Sequence, residues 1–207
     1  PPDVLAMRIL VTGGHGQLGR SVVRRGAVHG HVVSAPDLDV LDICDAVSIE
    51  RRLAADRPDL VINGAAYTGV DKAESERERA FAVNRDGAGT LAAACASRGV
   101  RLLHVSTDYV FDGTATRPLR EDDPIAPLGV YGESKADGEQ AVHTAGGIVV
   151  RTSWLFATRG PSFVQTMLRL ARERPVLRVV ADQHGCPTWA EDLADGLIEL
   201  GGRRELA

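Results

Sequence analysis

The chain has 207 residues, 44% hydrophobic and 25% charged, with a formal net charge of −4. That balance belongs to a globular chain able to bury a full core as one domain with a small appendage, and it excludes disordered and fibrous classes. A mildly acidic surface repels phosphate backbones, so nucleic acid is not an expected partner; nor is a membrane, because the apolar runs Ile9-Leu10-Val11 and Leu60-Val61-Ile62 fall far short of the ~18–20 residues a membrane helix needs.

Short apolar runs alternate with helical patterns along the chain. Residues 8–12 read as a strand, 16–25 as a helix and 31–34 as a second strand. Residues 45–55 read as a helix, with Val47, Leu53 and Ala54 offered as its inner stripe. Arg57-Pro58-Asp59 breaks it, and 60–63 is a third strand. Two helices are expected over 76–83 and 87–97, with Gly99 as the stop after the second. A fourth strand at 102–106, a helix at 130–143 and a strand at 148–151 follow. Residues 162–172 form an amphipathic helical pattern with Phe163, Met167, Leu168 and Leu170, 176–181 is strand-like, and 191–200 is helical.

Strands that are continuous apolar runs, separated by helices, imply a parallel sheet covered on both faces. The expected fold class is therefore α/β, a doubly wound parallel sheet of Rossmann-like type. Ligands in such sheets bind beyond the carboxyl ends of the strands, which is where chemistry is to be sought. Cys44, Cys95 and Cys186 are odd in number and far apart, with no Cys-x-x-Cys pair. Neither a disulfide framework nor a zinc site is expected, and no other group has metal-ligand spacing. Pro1-Pro2-Asp3 lacks the basic and apolar regions of a signal peptide, and a reducing cytoplasm fits the cysteine usage.

The segment Gly13-Gly14-His15-Gly16-Gln17-Leu18-Gly19 follows the first strand and opens the first helix. Gly13 permits a tight turn, Gly16 lets the backbone approach a pyrophosphate, and Gly19 lets the helix pack closely. The helix start supplies unpaired N–H groups and a partial positive charge for phosphates. At the end of the second strand no acidic residue stands ready for a ribose 2′-hydroxyl, and no arginine follows directly to grip a 2′-phosphate. Arg20, Arg24 and Arg25 on the first helix are the substitutes, and Asp39 and Asp42 lie further on, within reach of an adenine. The reading favours NADPH, with NADH as the alternative.

A second constellation lies further along. Ser106-Thr107-Asp108 ends the fourth strand, and Tyr131-Gly132-Glu133-Ser134-Lys135 puts a phenol and an amine on one helical face. A free phenol titrates near pH ~10, and a neighbouring ammonium would lower that value, so Lys135 is expected to tune Tyr131. Thr107 can hydrogen-bond a substrate oxygen beside the phenol. His104 reads as a partnered core histidine, Cys95 as a small buried hydrophobe, and Glu74 and Glu76 as a solvated helix start.

In these residues the chain resembles the extended short-chain dehydrogenases/reductases, and within them the dTDP-4-dehydrorhamnose reductase family of deoxysugar 4-ketoreductases. The matching segments include residues 13–19, 38–42, 57–68, 70–74, 104–113, 130–135, 151–154 and 182–188, nearly the whole of 7–200. The resemblance implies cofactor contacts from Gly13, Gly16, Gln17, Leu18 and Gly19, from Asp39 and Val40 at the adenine, and from Ala65, Ala66, Tyr67 and Thr68. It implies Tyr131 as proton donor with Lys135 as its partner and a cofactor contact, Thr107 as the third catalytic group, and Thr107, Asp108 and Trp154 as substrate contacts. It further implies reduction of the 4-keto group of dTDP-4-dehydro-L-rhamnose to dTDP-L-rhamnose in the cytoplasm, with a homodimer as the family's usual state. Trp154 also has a structural reading as a core tryptophan, and Asp108 one as the cap of the following turn.

The family usually continues with further strands and helices over the nucleotide sugar. The expected division is thus a cofactor-binding domain at 7–160 and a partial substrate-binding region at 161–207. Tyr109 stands where dehydratases of the superfamily carry an acid, which argues against dehydration. Two alternatives stay open: a ketoreductase for another dTDP-4-keto-6-deoxysugar, and a non-catalytic NAD(P)-binding regulatory subunit.

Overall fold

The computed structural model describes residues 6–160 and 162–203. Five parallel strands, β1 (Arg8–Thr12), β2 (Val32–Ser34), β3 (Leu60–Asn63), β4 (Arg101–Thr107) and β5 (Ile148–Thr152), form one sheet in the order β2-β1-β3-β4-β5. Helices α1 (Gln17–Val28) and α2 (Ala46–Asp56) follow β1 and β2. After β3 come α3 (Val70–Ala73), α4 (Arg77–Phe81), a π turn (Ala82–Gly87) and α5 (Ala88–Ser97). After β4 come a 3₁₀ turn (Asp108–Val110) and α6 (Val130–Thr144). This is the expected doubly wound α/β class, and the strand order reverses between β1 and β3, where ligands of such sheets bind.

The apolar runs are buried on both faces. Leu10, Val61 and Leu102 face Ile49, Leu53, Leu91 and Val142 of α2, α5 and α6. Ile9, Val11, Leu60, Ile62 and Leu103 face Val22 of α1 and Leu197 and Ile198 of α8 (Ala190–Gly202). The sheet is thus sandwiched by two apolar layers that hold the strand ends in place.

Four sequence expectations change. The inner face of α2 is Ser48, Ile49 and Leu53. Val47 is exposed, because it lies two positions from Ile49 and hence on the opposite side of the helix, and Ala54 is exposed as well. The helices expected at 76–83 and 87–97 are one rod from Arg77 to Ser97, widened by the π turn. Residues 176–181 form no strand: Val176, Val179 and Val180 are exposed, and a β-branched run without a neighbouring edge has nothing to pair its backbone with. The amphipathic helix α7 (Phe163–Glu173) forms as expected, capped by Ser162, yet buries none of its residues; Phe163 and Leu168 stand exposed.

A second, two-stranded parallel sheet pairs β6 (Leu155–Phe156) with β7 (Thr188–Trp189). Two-residue strands carry no periodicity, so sequence patterning does not reveal them. Among the described residues no helix is long and apolar enough to cross a membrane.

Candidate active site

The first turn of α1 is an open anion cradle. Gly13 has φ +66°, and a Cβ there would stand 2.9 Å from the Gly64 carbonyl oxygen. A Cβ on Gly19 would stand 2.5 Å from the Gly13 carbonyl oxygen, so the helix sits directly under the loop. Gly16 caps α1 without a side-chain acceptor, and no acidic residue occupies the first turn. The N–H groups there are consequently free to bind an anion. Leu18 is buried and anchors the helix, and Gln17 holds its side-chain oxygen buried without a partner.

Beside this loop lies a cavity of about 480 Å³ lined by Gly14, His15, Arg20, Val23, Val33 and Ala35. The His15 ring meets the Asp37 carboxylate at 2.5 Å, tying the glycine loop to the segment after β2. Of the arginines considered from sequence, Arg24 is paired with Glu191, and Arg25 with Asp195 at 2.7 Å. Arg20 lines the cavity and donates Nε–H to the His15 carbonyl at 2.9 Å. Asp39 and Val40 sit in an exposed turn, where the Val40 carbonyl accepts the Ser48 hydroxyl at 3.1 Å.

Across the crevice, Thr107 ends β4 and caps the 3₁₀ turn: its Oγ1 accepts the Tyr109 N–H at 3.2 Å and donates to Asp108 Oδ1 at 3.1 Å. The turn's cap is thus Thr107 and not Asp108. Burial pushes the Asp108 carboxyl above its usual range, with the Thr107 hydroxyl pulling back. Tyr131 opens α6 and packs edge-on against Tyr109 at 5.5 Å between ring centres. Burial pushes the Tyr131 phenol up, the Thr107 hydroxyl pulls it down, and Asp108 and Tyr109 push it up again. A Cβ on Gly132 would stand 2.2 Å from the Tyr109 carbonyl oxygen, so only glycine lets α6 bring Tyr131 this close.

Lys135 differs from expectation. It is 2% exposed, and its Nζ donates to the Val105 carbonyl at 2.7 Å and lies 3.2 Å from His104 Nε2. Burial pushes the amine down to about 8. The groups that shift the Tyr131 phenol are Thr107, Asp108 and Tyr109; the expected lowering by Lys135 is not part of this geometry, because the amine is turned onto β4. His104 is a fully buried, partnered histidine, and Cys95 a buried thiol that burial pushes to about 12, both as read from sequence.

Several supporting residues escaped the sequence reading. Asn84, buried in the π turn, bonds both backbone groups of Tyr67 and the Ser134 hydroxyl. Glu74 accepts the Val130 N–H at 2.8 Å and so satisfies the first turn of α6, while Glu76 accepts the Tyr67 hydroxyl at 2.9 Å. Neither is merely a solvated helix start. Glu139, 3% exposed, is held by Arg151 at 2.7 Å, and the Arg151 guanidinium stacks 5.0 Å from the Phe111 ring centre. No local spacing signals these contacts: Glu74 and Val130, for example, are 56 residues apart.

The segment after β3 lies between the two halves of the crevice. Ala65 donates its N–H to Thr12 Oγ1 at 3.1 Å, Ala66 and Tyr67 are half-buried, and Thr68 is exposed. The Tyr67 phenol is engaged by Glu76, and the Gly64–Ala65 main chain packs against Gly13 of the glycine loop. Trp154 follows β5 with φ +46°, an uncommon conformation for a bulky residue, and is 46% exposed, which excludes a core role. Its ring lies against Gly185, where a Cβ would stand 2.6 Å from the indole.

Comparison with known proteins places this architecture. The family model described as the RmlD substrate binding domain matches residues 7–206. A dTDP-4-dehydrorhamnose reductase of Burkholderia thailandensis is 48% identical over 192 residues, covering 92% of this chain and 64% of the relative. A dTDP-4-keto-6-deoxy-D-glucose reductase of Streptomyces niveus is 42% identical, covering 93% of this chain and 68% of the relative. The crystal structure of a dTDP-4-dehydrorhamnose reductase from Bacillus anthracis in complex with NADP superposes with a TM-score of 0.92 at 38% identity, covering 96% of this chain and 72% of that one. The chain thus spans about two thirds of the length of the curated relatives it matches. It belongs to the RmlD substrate binding domain family, the family of the dTDP-4-dehydrorhamnose reductases.

Proposed function

We propose that the protein is an NADPH-dependent reductase that converts the 4-keto group of dTDP-4-dehydro-L-rhamnose into the alcohol of dTDP-L-rhamnose. The observation that supports this most is that Tyr131 packs on the turn capped by Thr107 at the end of β4, the same sheet edge that carries the Gly13–Gly19 cradle.

The residues present fit a dinucleotide on two counts: a loop whose glycines a Cβ would fill, and the partnerless Gln17 oxygen at the start of α1. Gly13, Gly16, Gln17, Leu18 and Gly19 would hold the diphosphate, and Ala65, Ala66, Tyr67 and Thr68 the adjoining ribose side. Asp39 and Val40 would border the adenine. Arg20, the first-helix arginine not claimed by a carboxylate of α8, is the group offered to a 2′-phosphate, which favours NADPH over NADH.

When bound, the reduced nicotinamide supplies hydride to the carbonyl carbon. Tyr131 gives its proton to the developing alkoxide, and Thr107 holds the same oxygen. A phenol raised by burial stays protonated at neutral pH, which suits a donor. Lys135 fixes the cofactor ribose and the end of β4. Asp108 and the exposed Trp154 face are the proposed contacts to the nucleotide sugar; the proposed division keeps cofactor binding in 7–160 and has 161–207 add to the substrate side next to Trp154, whose ring lies against Gly185.

Mixing the protein with NADPH and the 4-keto-rhamnose nucleotide tests the reading, with loss of nicotinamide absorbance and appearance of dTDP-L-rhamnose expected. NADPH binding without turnover of any 4-keto nucleotide sugar would instead identify a regulatory subunit. The Streptomyces niveus relative favours a second reading, reduction of another dTDP-4-keto-6-deoxysugar, which the same assay separates by substrate.

A further inference from the structure

A buried polar row crosses the sheet beneath the crevice. Thr12, Asn63 and His104 are register neighbours on β1, β3 and β4. Thr12 Oγ1 donates to Asn63 Oδ1 at 2.5 Å, Asn63 Nδ2 lies 2.8 Å from His104 Nδ1, and His104 Nε2 lies 3.2 Å from Lys135 Nζ. All four side chains are buried.

The direction of the bonds in this row follows from two donors aimed at one oxygen. The Ala65 N–H is shared between Thr12 Oγ1 at 3.1 Å and Asn63 Oδ1 at 3.3 Å, and the Thr12 hydroxyl donates to the same Asn63 oxygen at 2.5 Å. The Asn63 carbonyl oxygen must therefore face Ala65, which turns its NH₂ toward His104. An amide NH₂ only donates, so His104 Nδ1 accepts and carries no proton. Burial, with Lys135 and His143 adding to it, holds the ring far below its usual value and hence neutral. Its one proton is on Nε2, aimed at Lys135.

We infer that His104 is a positioning residue for Lys135: locked in one tautomer by Asn63, it presents Nε2–H to the amine and favours the uncharged form of that lysine. An ammonium has three donors and no lone pair, so a donor 3.2 Å away opposes it. The uncharged amine donates to the Val105 carbonyl, accepts from His104, and keeps one N–H for a ligand. Burial acts in the same direction. Glu139, one turn further along α6, acts against it but is itself held by Arg151 of β5. Other titratable groups on the elements packed against this side of the sheet include Tyr131, Asp137 and His143 of α6 and Cys95 of α5, with Asp108 beyond the end of β4. Lys135 is thereby a group that changes charge near neutral pH instead of a permanent cation. The inference rests on the reading of Lys135 as a member of the reaction site.

Lys72 and Lys135 are the chain's lysines, so protein labelled at the lysine ε-carbon gives one resonance from exposed Lys72 and one from Lys135. Titrated without cofactor or substrate, His104→Phe should raise the Lys135 midpoint by about one pH unit, because an opposing donor is removed. A fall, or no change, overturns the inference, since a histidine that accepted from the ammonium would lower the midpoint when lost. Nitrogen spectra of the unmodified protein labelled with ¹⁵N-histidine supply a second reading that needs no variant: a bare Nδ1 and a protonated Nε2 at His104 are expected, and the opposite tautomer overturns the inference. Neither measurement involves turnover. A failed reductase assay therefore bears on the proposed reaction alone, and a wrong tautomer on the histidine alone.

Discussion

The Asn84 side chain binds the Tyr67 backbone twice, accepting its N–H at 2.8 Å and donating to its carbonyl at 3.1 Å, and also reaches the Ser134 hydroxyl at 3.0 Å. One buried amide thus ties the segment after β3 to the helix that bears Tyr131. Asn84→Ala strands several buried polar groups, each worth about 1–3 kcal/mol when left unpaired. The expected result is a lower urea midpoint at unchanged slope and faster hydrogen exchange at the Tyr67 amide. Unchanged exchange there would show that the segment is held by something else.

Tyr131→Phe removes the donated proton and keeps the ring. A fall of at least ~10²-fold in kcat is expected, in line with acid catalysis by a positioned group, with cofactor affinity retained. Normal turnover in this variant would remove Tyr131 from the mechanism.

Arg20→Ala tests the cofactor. A hydrogen bond to a charged group is worth about 1.5–3 kcal/mol, so NADPH affinity should fall about tenfold or more while NADH affinity stays the same. Arg24→Ala is the control, because Glu191 already holds that guanidinium. Equal losses for both cofactors in Arg20→Ala would place the 2′-phosphate elsewhere.

Lys135 links stability to alkaline pH. Burial moves its value from 10.5 unfolded to about 8 folded. Between those values the unfolded chain binds more protons than the folded one, so stability rises with pH across that window. Lys135→Met should abolish the rise, as read from urea unfolding at a series of pH values from about 7 to about 11. A curve of the same slope in the variant would contradict the burial argument.

Two glycines give opposite expectations for the same change. A Cβ on Gly138 would stand 2.0 Å from the Asn84 carbonyl oxygen, whereas Gly196, exposed in α8, has nothing within 4 Å. Gly138→Ala should cost about 1–3 kcal/mol or more through overpacking, and Gly196→Ala should gain up to about 1 kcal/mol from helix propensity. Thermal melts of the two variants compare them directly.

Local pattern made the frame of the site legible. The apolar run at β1, the glycines behind it and the four-residue spacing of Tyr131 and Lys135 are short-range features. A strand end, a tight turn and a shared helix face follow from neighbours alone. The misread elements are those whose state depends on a distant partner. Val176–Ala181 has strand composition without an edge to join, and the π turn at Ala82–Gly87 seats the Asn84 carbonyl against Gly138, more than fifty residues away.

The amino-acid order alone determined an α/β sheet with a phosphate-type loop after its first strand and a phenol–amine pair on a later helix. Tertiary structure alone decided that the Lys135 amine turns onto β4, that Thr107 caps the turn on which Tyr131 packs, and that Asn84, Glu74, Asn63 and His104 support the site. The physical reason is that a side chain's hydrogen-bond partner is set by strand register and helix packing. Thr12, Asn63 and His104 meet only because three strands align them, and no spacing along the chain encodes that alignment.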